Sequence, residues 1–239
     1  MLDKIQLDKI LFLDIETVPQ TYAYQDLDEK TKELFNAKTR FSQNEEKSFD
    51  MLYNEKGGIL SEFGKIICIS VGMVTTDRLG AKKIRLKSFA HDDEETLLNQ
   101  FKALIDGKDY ILCGHNSKEF DIPYICRRML INGISLPNLL DIAGKKPWEI
   151  SHLDTLELWK FGDYKAYTSL ALLCHVFNIP TPKDDISGAD VASVYYEEND
   201  LNRIRIYCEK DVIALIQLFL KMKGDALVEE GNISSASDD

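Results

Sequence analysis

Nearly unbroken apolar runs predict the central strands of this chain. Residues 9–15, 65–74 and 110–113 are almost entirely apolar, which is typical of strands buried on both faces of a sheet. Residues 83–90 alternate between apolar and polar side chains, which predicts a further strand that a hairpin at 77–82 joins to the one before it. The first half of the chain is therefore expected to supply four strands.

Apolar residues spaced three and four positions apart predict helices around these strands. An acidic start favours a helix across residues 91–106, and the Asn132–Gly133 pair is expected to end a helix that starts near Ser117. The second half of the chain is predicted to be mainly helical, with segments at 168–178, 187–196 and 199–223. A polar, helix-forming stretch at 27–60 is predicted to be an insertion at the periphery of the fold.

The order of these elements predicts the fold class. Three strands, a helix, a strand and a helix, followed by a helical half, indicate an α/β fold in which helices flank both faces of one mixed sheet. At 239 residues the chain fits a single domain, which is expected at residues 1–223. The remaining residues, 224–239, are acidic and are expected to be disordered.

Cysteine usage and hydropathy favour a protein of the cytoplasm. All five cysteines fall inside apolar segments without a CxxC pair, which indicates buried free thiols in a reducing compartment. No apolar run approaches the ~18 residues of a membrane span. The start of the chain carries acidic residues and lacks the pattern of a signal peptide.

Five residues from three distant segments form a candidate metal-binding set: Asp14, Glu16, Asp121, Tyr207 and Asp211. Side chains two positions apart on a strand point to the same face, so the first two acids are expected to act together. Four carboxylates gathered at one point would repel one another unless a pair of hard divalent cations neutralised them. Phosphoryl-transfer enzymes use such paired cations to cut a nucleic-acid backbone.

Sequence context separates this set from chance matches. The spacing D-x-E also occurs at Asp92/Glu94, and Y-x-x-x-D also occurs at Tyr22/Asp26, because the chain holds 40 acidic residues. Only Asp14/Glu16 closes an apolar strand, at whose carboxyl end the sites of α/β proteins form. Only Tyr207/Asp211 lies on a long amphipathic helix, where a spacing of four places both side chains on one face.

These motifs resemble those of the DEDD superfamily of 3′–5′ exonucleases in its tyrosine subtype. The resemblance rests on DIET at 14–17, on N-x-x-x-F-D from Asn116 to Asp121, and on Y-x-x-x-D from Tyr207 to Asp211. The segments FDIPYI, FGKIICISVG and HLDTLELWKF are similar to the proofreading exonuclease domain of family-B DNA polymerases, in its stand-alone bacterial form. The resemblance covers about residues 10–220 and implies a ribonuclease-H-like fold.

The resemblance implies hydrolysis of phosphodiester bonds with two divalent cations, Mg²⁺ or Mn²⁺, as cofactors. Asp14 is expected to bridge both cations, and Asp121 to hold the second through water. Glu16 and Asp211 are expected to complete the site of the cation that activates water. Tyr207 is expected to orient the attacking water through a hydrogen bond, because a phenol with a pKa of about 10 is a poor general base.

Substrate contacts are expected around the same motifs. The backbone of Ile15 and Thr17 is expected to meet the terminal nucleotide, and Phe120 is expected either to stack on the last bases or to be a core residue. Asn116 fits either a contact to sugar or phosphate or a cap of the helix that follows it. His115 is expected to be structural. Further candidates for phosphate contacts, each also compatible with a solvated lysine, are Lys160, Lys165 and Lys183.

The net charge of the chain limits which nucleic acids it is expected to bind. The chain has 40 acidic and 29 basic side chains and a formal charge of −11, which argues against a long basic groove for duplex DNA. A small site that grips the 3′ end of a single strand tolerates this charge, with DNA favoured over RNA.

The motifs are compatible with two alternative functions. One is an RNA-trimming exoribonuclease with the same site, since the motifs read phosphate rather than the 2′-OH group. The other is a non-catalytic module that binds nucleic-acid ends. A separate polymerase or repair protein is a candidate partner in each case.

Overall fold

The fold is built on one mixed sheet, as seen in the computed structural model, which describes residues 2, 5–43, 47–163, 165, 167–180 and 185–237. Its strands are β1 Ile10–Pro19, β2 Gly64–Thr76, β3 Lys82–Ala90, β4 Ile111–Gly114, β5 Leu153–Asp154 and β6 Ile233–Ser235. They lie in the order β5-β4-β1-β2-β3-β6. The pairs β1–β2 and β2–β3 are antiparallel, while β1–β4, β4–β5 and β3–β6 are parallel. The predicted mixed sheet is therefore confirmed.

Helices connect and flank these strands, as the sequence predicted. Within the described residues they are α1 Glu29–Thr39, α2 Phe49–Lys56, α3 Glu94–Ile105, α4 Asp121–Ile131, α5 Thr155–Lys160, α6 Leu170–Val176, α7 Val191–Ser193 and α8 Leu201–Lys223. A π-helical turn, Val194–Glu198, follows α7 directly and leads toward α8. None of the described helices is both long and apolar enough to cross a bilayer.

The central strand β1 is buried on both faces, which explains its continuous apolar run. Leu11 and Leu13 pack under α3 and α4 on one face. Ile10 and Phe12 pack under α8 on the other, where the ring of Phe12 lies 5.3 Å from that of Phe219. The strand that carries the first two predicted acids is therefore held in place from both sides.

A buried ion pair ties α3 and α4 to the sheet. Glu94 and Arg128 are 7% and 4% exposed, and the Arg128 Nε donates to the Glu94 carboxylate at 2.9 Å. The same carboxylate accepts the backbone N–H of Ile66 on β2 at 2.7 Å. Breaking such a pair leaves an uncompensated buried charge, so this contact fixes the helix that begins at Asp121.

The helices α1 and α2 lie in the segment predicted to be an insertion, and they have a small core of their own. That core consists of Leu27, Phe35, Leu52, Tyr53 and Phe63. The Tyr53 hydroxyl donates to the carbonyl oxygen of Thr21 at 3.1 Å, which anchors α2 to the chain just after β1.

The C-terminal segment differs from the expectation of disorder, which is wrong for residues 224–237. β6 adds a strand parallel to β3, so the domain does not end at residue 223. Gln217 exchanges two side-chain hydrogen bonds with the backbone of Val228, at 2.7 and 3.0 Å. Glu209 on α8 accepts hydrogen bonds from Ser88 and Ser235, at 2.6 and 2.9 Å. These long-range contacts order a segment whose local composition favours disorder.

The five cysteines are free thiols, as predicted. Cys68, Cys113, Cys174 and Cys208 are buried, and Cys126 is partly exposed. Two of the buried thiols, Cys68 and Cys208, lie beside the carboxylates described next.

Candidate metal centre and active site

β1 carries the first two carboxylates of the site. Asp14 and Glu16 flank Ile15, whose side chain packs under α3 and α4, so the two acids project toward α8. The strand does not end at Ile15 as predicted but continues to Pro19, with a bulge directly after Glu16 that shifts its register against β2. The two acids therefore lie inside the strand and next to the bulge.

Asp121 reaches the same point from α4. It is the first residue of that helix and is 5% exposed, and its carboxylate accepts the backbone N–H of Ile15. α4 begins at Asp121 rather than near Ser117, since Asn116 adopts a left-handed backbone conformation (φ 66°) and redirects the chain first. The Asp121 carboxylate therefore lies against β1 at Ile15, the residue between Asp14 and Glu16.

Asp154 holds the loop that leads to Asp121. It is 2% exposed, and its carboxylate accepts the backbone N–H groups of Asn116 and Lys118, both at 3.0 Å. It also accepts the N–H of Leu156 at 2.9 Å, which caps α5. One buried carboxylate therefore fixes the loop at 115–120 relative to β5.

No role for Asp154 was predicted from the sequence. The local signal that identifies it is the spacing D-x-x-E to Glu157, an N-cap pattern at the start of a short helix. Its contacts to backbone amides nearly forty positions away have no such local signal.

α8 supplies the remaining two residues. Tyr207 is 9% exposed and Asp211 is partly buried, and one helical turn separates them. The Tyr207 hydroxyl forms a hydrogen bond with the Asp211 carboxylate. The charges of Glu16 and Asp14 also act on this hydroxyl, which places it at the edge of the carboxylate cluster.

Electrostatics show that the five predicted residues converge. Burial raises the pKa of Asp14, and the charges of Asp121 and Asp211 raise it further. Burial and the charge of Asp14 raise the pKa of Glu16, with smaller contributions from Asp211 and Asp121. Burial raises the pKa of Asp121 from 3.8 to about 7. Burial and the charge of Asp211 also raise the pKa of Tyr207, so the phenol stays protonated.

A thiol lies within this cluster that the sequence did not single out. The Cys208 Sγ lies 3.5 Å from the carbonyl oxygen of Asp14 and 3.7 Å from its Oδ2. Burial raises the pKa of Cys208, and its hydrogen bond with Cys68 raises it further, so this thiol remains a hydrogen-bond donor to Asp14.

The donor set fits hard divalent cations. Asp14, Glu16 and Asp121 form no salt bridge with any described lysine or arginine, although their mutual repulsion raises the cost of ionising them. Candidate ligand atoms of Asp14, Glu16 and Cys208 lie within 4.8 Å of one another. Carboxylate oxygens are the ligands that Mg²⁺ and Mn²⁺ prefer, and bound cations would remove the repulsion.

The predicted backbone contacts on β1 are partly engaged within the protein. The N–H of Ile15 donates to Asp121, so this group orders the site itself. Thr17 is half-buried, and its side chain forms a hydrogen bond with Tyr124. The Tyr124 hydroxyl in turn donates to the carbonyl oxygen of Gly58 at 2.6 Å.

The loop residues before α4 have distinct surroundings. Asn116 does not cap α4, because that helix begins at Asp121 and its cap position is occupied by Phe120. Phe120 is partly buried and packs against Tyr124 with ring centroids 5.4 Å apart. His115 contacts the Thr155 hydroxyl at 2.9 Å and the carbonyl oxygen of Thr168 at 2.8 Å, in agreement with a structural role.

The candidate lysines are not brought to the carboxylates by any contact within the described residues. Lys160 is the last residue of α5 and is half-buried, and Lys165 is exposed. Lys183 lies outside the described residues.

A known protein family matches most of this chain, including three of the five candidate site residues. Residues 59–236 match the family described as "Predicted 3'-5' exonuclease related to the exonuclease domain of PolB". That stretch contains Asp121, Tyr207 and Asp211, while Asp14 and Glu16 precede it. None of the curated proteins compared with the chain matches it.

Among solved structures, the family B DNA polymerase from the hyperthermophilic archaeon Pyrobaculum calidifontis is similar, with a TM-score of 0.54 and 15% sequence identity. The similarity covers 90% of this chain and 24% of the polymerase chain. At this identity it shows the fold alone, a ribonuclease-H-like mixed sheet flanked by helices. The family match, in contrast, spans most of the chain. The protein therefore belongs to the predicted 3′–5′ exonucleases related to the exonuclease domain of PolB, which are phosphodiester hydrolases.

Proposed function

We propose that this enzyme removes nucleotides from the 3′ end of single-stranded DNA, with two divalent cations, Mg²⁺ or Mn²⁺, held by Asp14, Glu16, Asp121 and Asp211. The observation that carries the proposal is the convergence of four carboxylates from β1, α4 and α8, whose mutual charges raise the pKa of Asp14 and Glu16. When bound, two such cations supply the positive charge that stabilises the attacking and leaving oxygens of a phosphodiester.

The residues around the carboxylates set the position of the reacting groups. Tyr207 stays protonated beside Asp211 and serves as a hydrogen-bonding group that orients the attacking water. Asp154 holds the loop before Asp121, and the N–H of Ile15 fixes the carboxylate of that residue. Phe120, directly before α4, has a partly buried ring and is the aromatic group proposed to contact the terminal base.

The charge of the chain supports a short substrate grip rather than a long groove. A net charge of −11 disfavours extended contact with duplex phosphates, whereas the end of a single strand needs few cationic contacts. The enzyme is then expected to act on ends that a separate polymerase or repair protein exposes.

The test is degradation of 5′-labelled single-stranded DNA with Mg²⁺, with Mn²⁺ and with a chelator, beside the same sequence as RNA. A metal-dependent ladder that shortens from the 3′ end is expected, with DNA cleaved faster. Asp14→Asn should abolish the ladder, whereas Asp8→Asn, a matched change of an exposed acid just before β1, should not.

Each contrary result has a clear meaning. Faster cleavage of RNA would assign the chain to RNA trimming. Full activity of folded Asp14→Asn would refute the assigned metal site. Binding of DNA ends without cleavage, in metal-loaded protein, would leave an end-binding module in place of an enzyme.

A further inference from the structure

A second, polar cavity lies beyond the carboxylates at the same end of β1. Its volume is about 350 Å³, and its lining includes Gln20, Lys65, Asp92, Tyr195, Tyr196 and Leu201. Lys65 on β2 pairs with Val18 on β1, and paired residues project from the same face of a sheet. Val18 packs in one cluster with Tyr207, so the cavity opens on the face that carries the site.

Lys65 is a half-buried cation inside this cavity. Its Nζ donates to the Tyr195 hydroxyl at 2.9 Å and lies 4.7 Å from the centre of the same ring. It forms no salt bridge within the described part of the chain, and burial lowers its pKa. An ammonium carries three donors, so this lysine still has hydrogen-bonding capacity for an anion in the cavity.

Aromatic rings form one wall beside this lysine. The π-helical turn brings Tyr195 and Tyr196 together, with ring centroids 4.9 Å apart, and Tyr22 lies 5.2 Å from Tyr196. The Tyr196 hydroxyl donates to the carbonyl oxygen of Pro19 at 2.6 Å, which fixes its ring against the end of β1. Tyr22 is 40% exposed. A π-helical turn is a rare feature that often occurs at functional sites.

Single-stranded nucleic acid is bound by cations that contact its phosphates and by aromatic rings that stack on its bases. Here the cation is Lys65, the half-buried rings of Tyr195 and Tyr196 line the cavity, and the exposed ring of Tyr22 lies next to Tyr196.

Leu201 on α8 lines the cavity, and Tyr207 on the same helix lies at the carboxylate site. Six residues of helix separate them, so the cavity and the site are about 9 Å apart along α8. A stacked strand advances about 3.4 Å per nucleotide, so the cavity lies within reach of the last few nucleotides of a bound strand.

We propose that this cavity is an upstream subsite of the exonuclease, in which Lys65 binds a backbone phosphate of the substrate strand and Tyr22 and Tyr196 support the adjoining base. This inference rests on the proposed function and specifies the path of the substrate strand upstream of the carboxylates. Asp92 lies at the rim, where it accepts a hydrogen bond from Tyr195 at 3.0 Å. Its negative charge opposes the bound phosphate, so the two charged residues should have opposite effects on binding.

The test compares Lys65→Met and Asp92→Asn with wild type on a long single-stranded oligonucleotide and on thymidine 5′-monophosphate p-nitrophenyl ester. Lys65→Met should raise KM for the oligonucleotide roughly tenfold, leave kcat within about twofold, and lower the slope of log Kd against log salt by about 0.7. Asp92→Asn should lower KM. Neither change should affect hydrolysis of the small ester, which cannot reach the cavity.

Lys87→Met is the matched control, because Lys87 also lies over an aromatic ring, that of Phe89 at 5.2 Å, but on the exposed part of β3. Equal KM values for Lys65→Met, Lys87→Met and wild type would overturn the subsite. Lys65→Arg, which keeps the charge, should retain a KM close to wild type, and a KM raised as much as in Lys65→Met would show that the charge of this residue does not bind the strand.

Two further outcomes separate this inference from the proposed function. If wild type fails to hydrolyse both substrates, the function is refuted, and binding of the oligonucleotide in Ca²⁺ still tests the subsite. If Lys65→Met changes only inhibition by a free mononucleotide, the cavity binds the released mononucleotide and the upstream subsite is wrong.

Discussion

Replacing Asp121 by asparagine should stabilise the metal-free protein at neutral pH. Asp121 is 5% exposed, and burial, together with the charge of Asp154, raises its pKa from 3.8 to about 7. The amide of asparagine removes the negative charge, while its oxygen can still accept the N–H of Ile15. The substitution therefore isolates the cost of the charge from the loss of the contact.

The size of the effect follows from the change in pKa. A rise from 3.8 to about 7 corresponds to roughly 4 kcal/mol against the ionised carboxylate. Because the folded pKa exceeds the unfolded value, the folded protein keeps a proton that the unfolded chain loses between about pH 4 and pH 7. The free energy of unfolding of wild type should fall across that window. Allowing about 1 kcal/mol for a weaker hydrogen bond, the variant should be more stable by roughly 3 kcal/mol above about pH 8.

Urea unfolding in a chelating buffer measures this difference at about pH 5 and about pH 8. Glu119→Gln, which neutralises an exposed acid two positions away, is the control and should change stability by less than about 0.5 kcal/mol. Added Mg²⁺ should stabilise wild type more than the Asp121 variant. A variant that is no more stable than wild type at the higher pH would refute the view that burial makes the ionised Asp121 costly in the absence of cations.

Three further changes test other parts of the site and its support. Tyr207→Phe should keep the melting temperature but lower the single-turnover rate constant by roughly tenfold or more, because it removes a donor beside the attacking water. An unchanged rate constant would assign the phenol to packing. Asp154→Ala should destabilise the protein by about 3 kcal/mol in urea and reduce activity at saturating metal, because several backbone amides lose one acceptor; normal activity would show that the loop orders itself. Glu94→Gln should cost about 3 kcal/mol by leaving Arg128 without a charged partner, whereas Glu95→Gln at the exposed neighbour should cost little, and equal losses would contradict the buried ion pair.

The sequence predicts the centre of this fold better than its margins. β1 and β2 are buried on both faces, so their apolar runs identify them without any knowledge of partners. β6 and β5 are strands of three and two residues whose existence depends on pairing with distant segments. The order of the C-terminal segment likewise depends on contacts to Glu209 and Gln217, which local composition does not reveal.

The same contrast holds for the site. Asp14, Glu16, Tyr207 and Asp211 could be found because spacing on a strand or a helix determines which side chains share a face. The extension of β1 beyond Ile15 could not be predicted, because it depends on a bulge in the pairing of β1 with β2. Cys208 could not be found either, because its contact with Asp14 arises only when α8 packs on the sheet.

The C-terminal strand has a further consequence for the behaviour of shortened chains. β3 is nine residues long, and β6 pairs with its outer edge at Ile84, Arg85 and Leu86. At the opposite margin the sheet ends in β5, which is only two residues long and offers little backbone for pairing. Ending the chain after α8 would uncover the β3 edge, and unpaired edges of this length recruit strands from other molecules. Self-association, rather than loss of catalysis, is therefore the first defect to be expected when the last residues are removed.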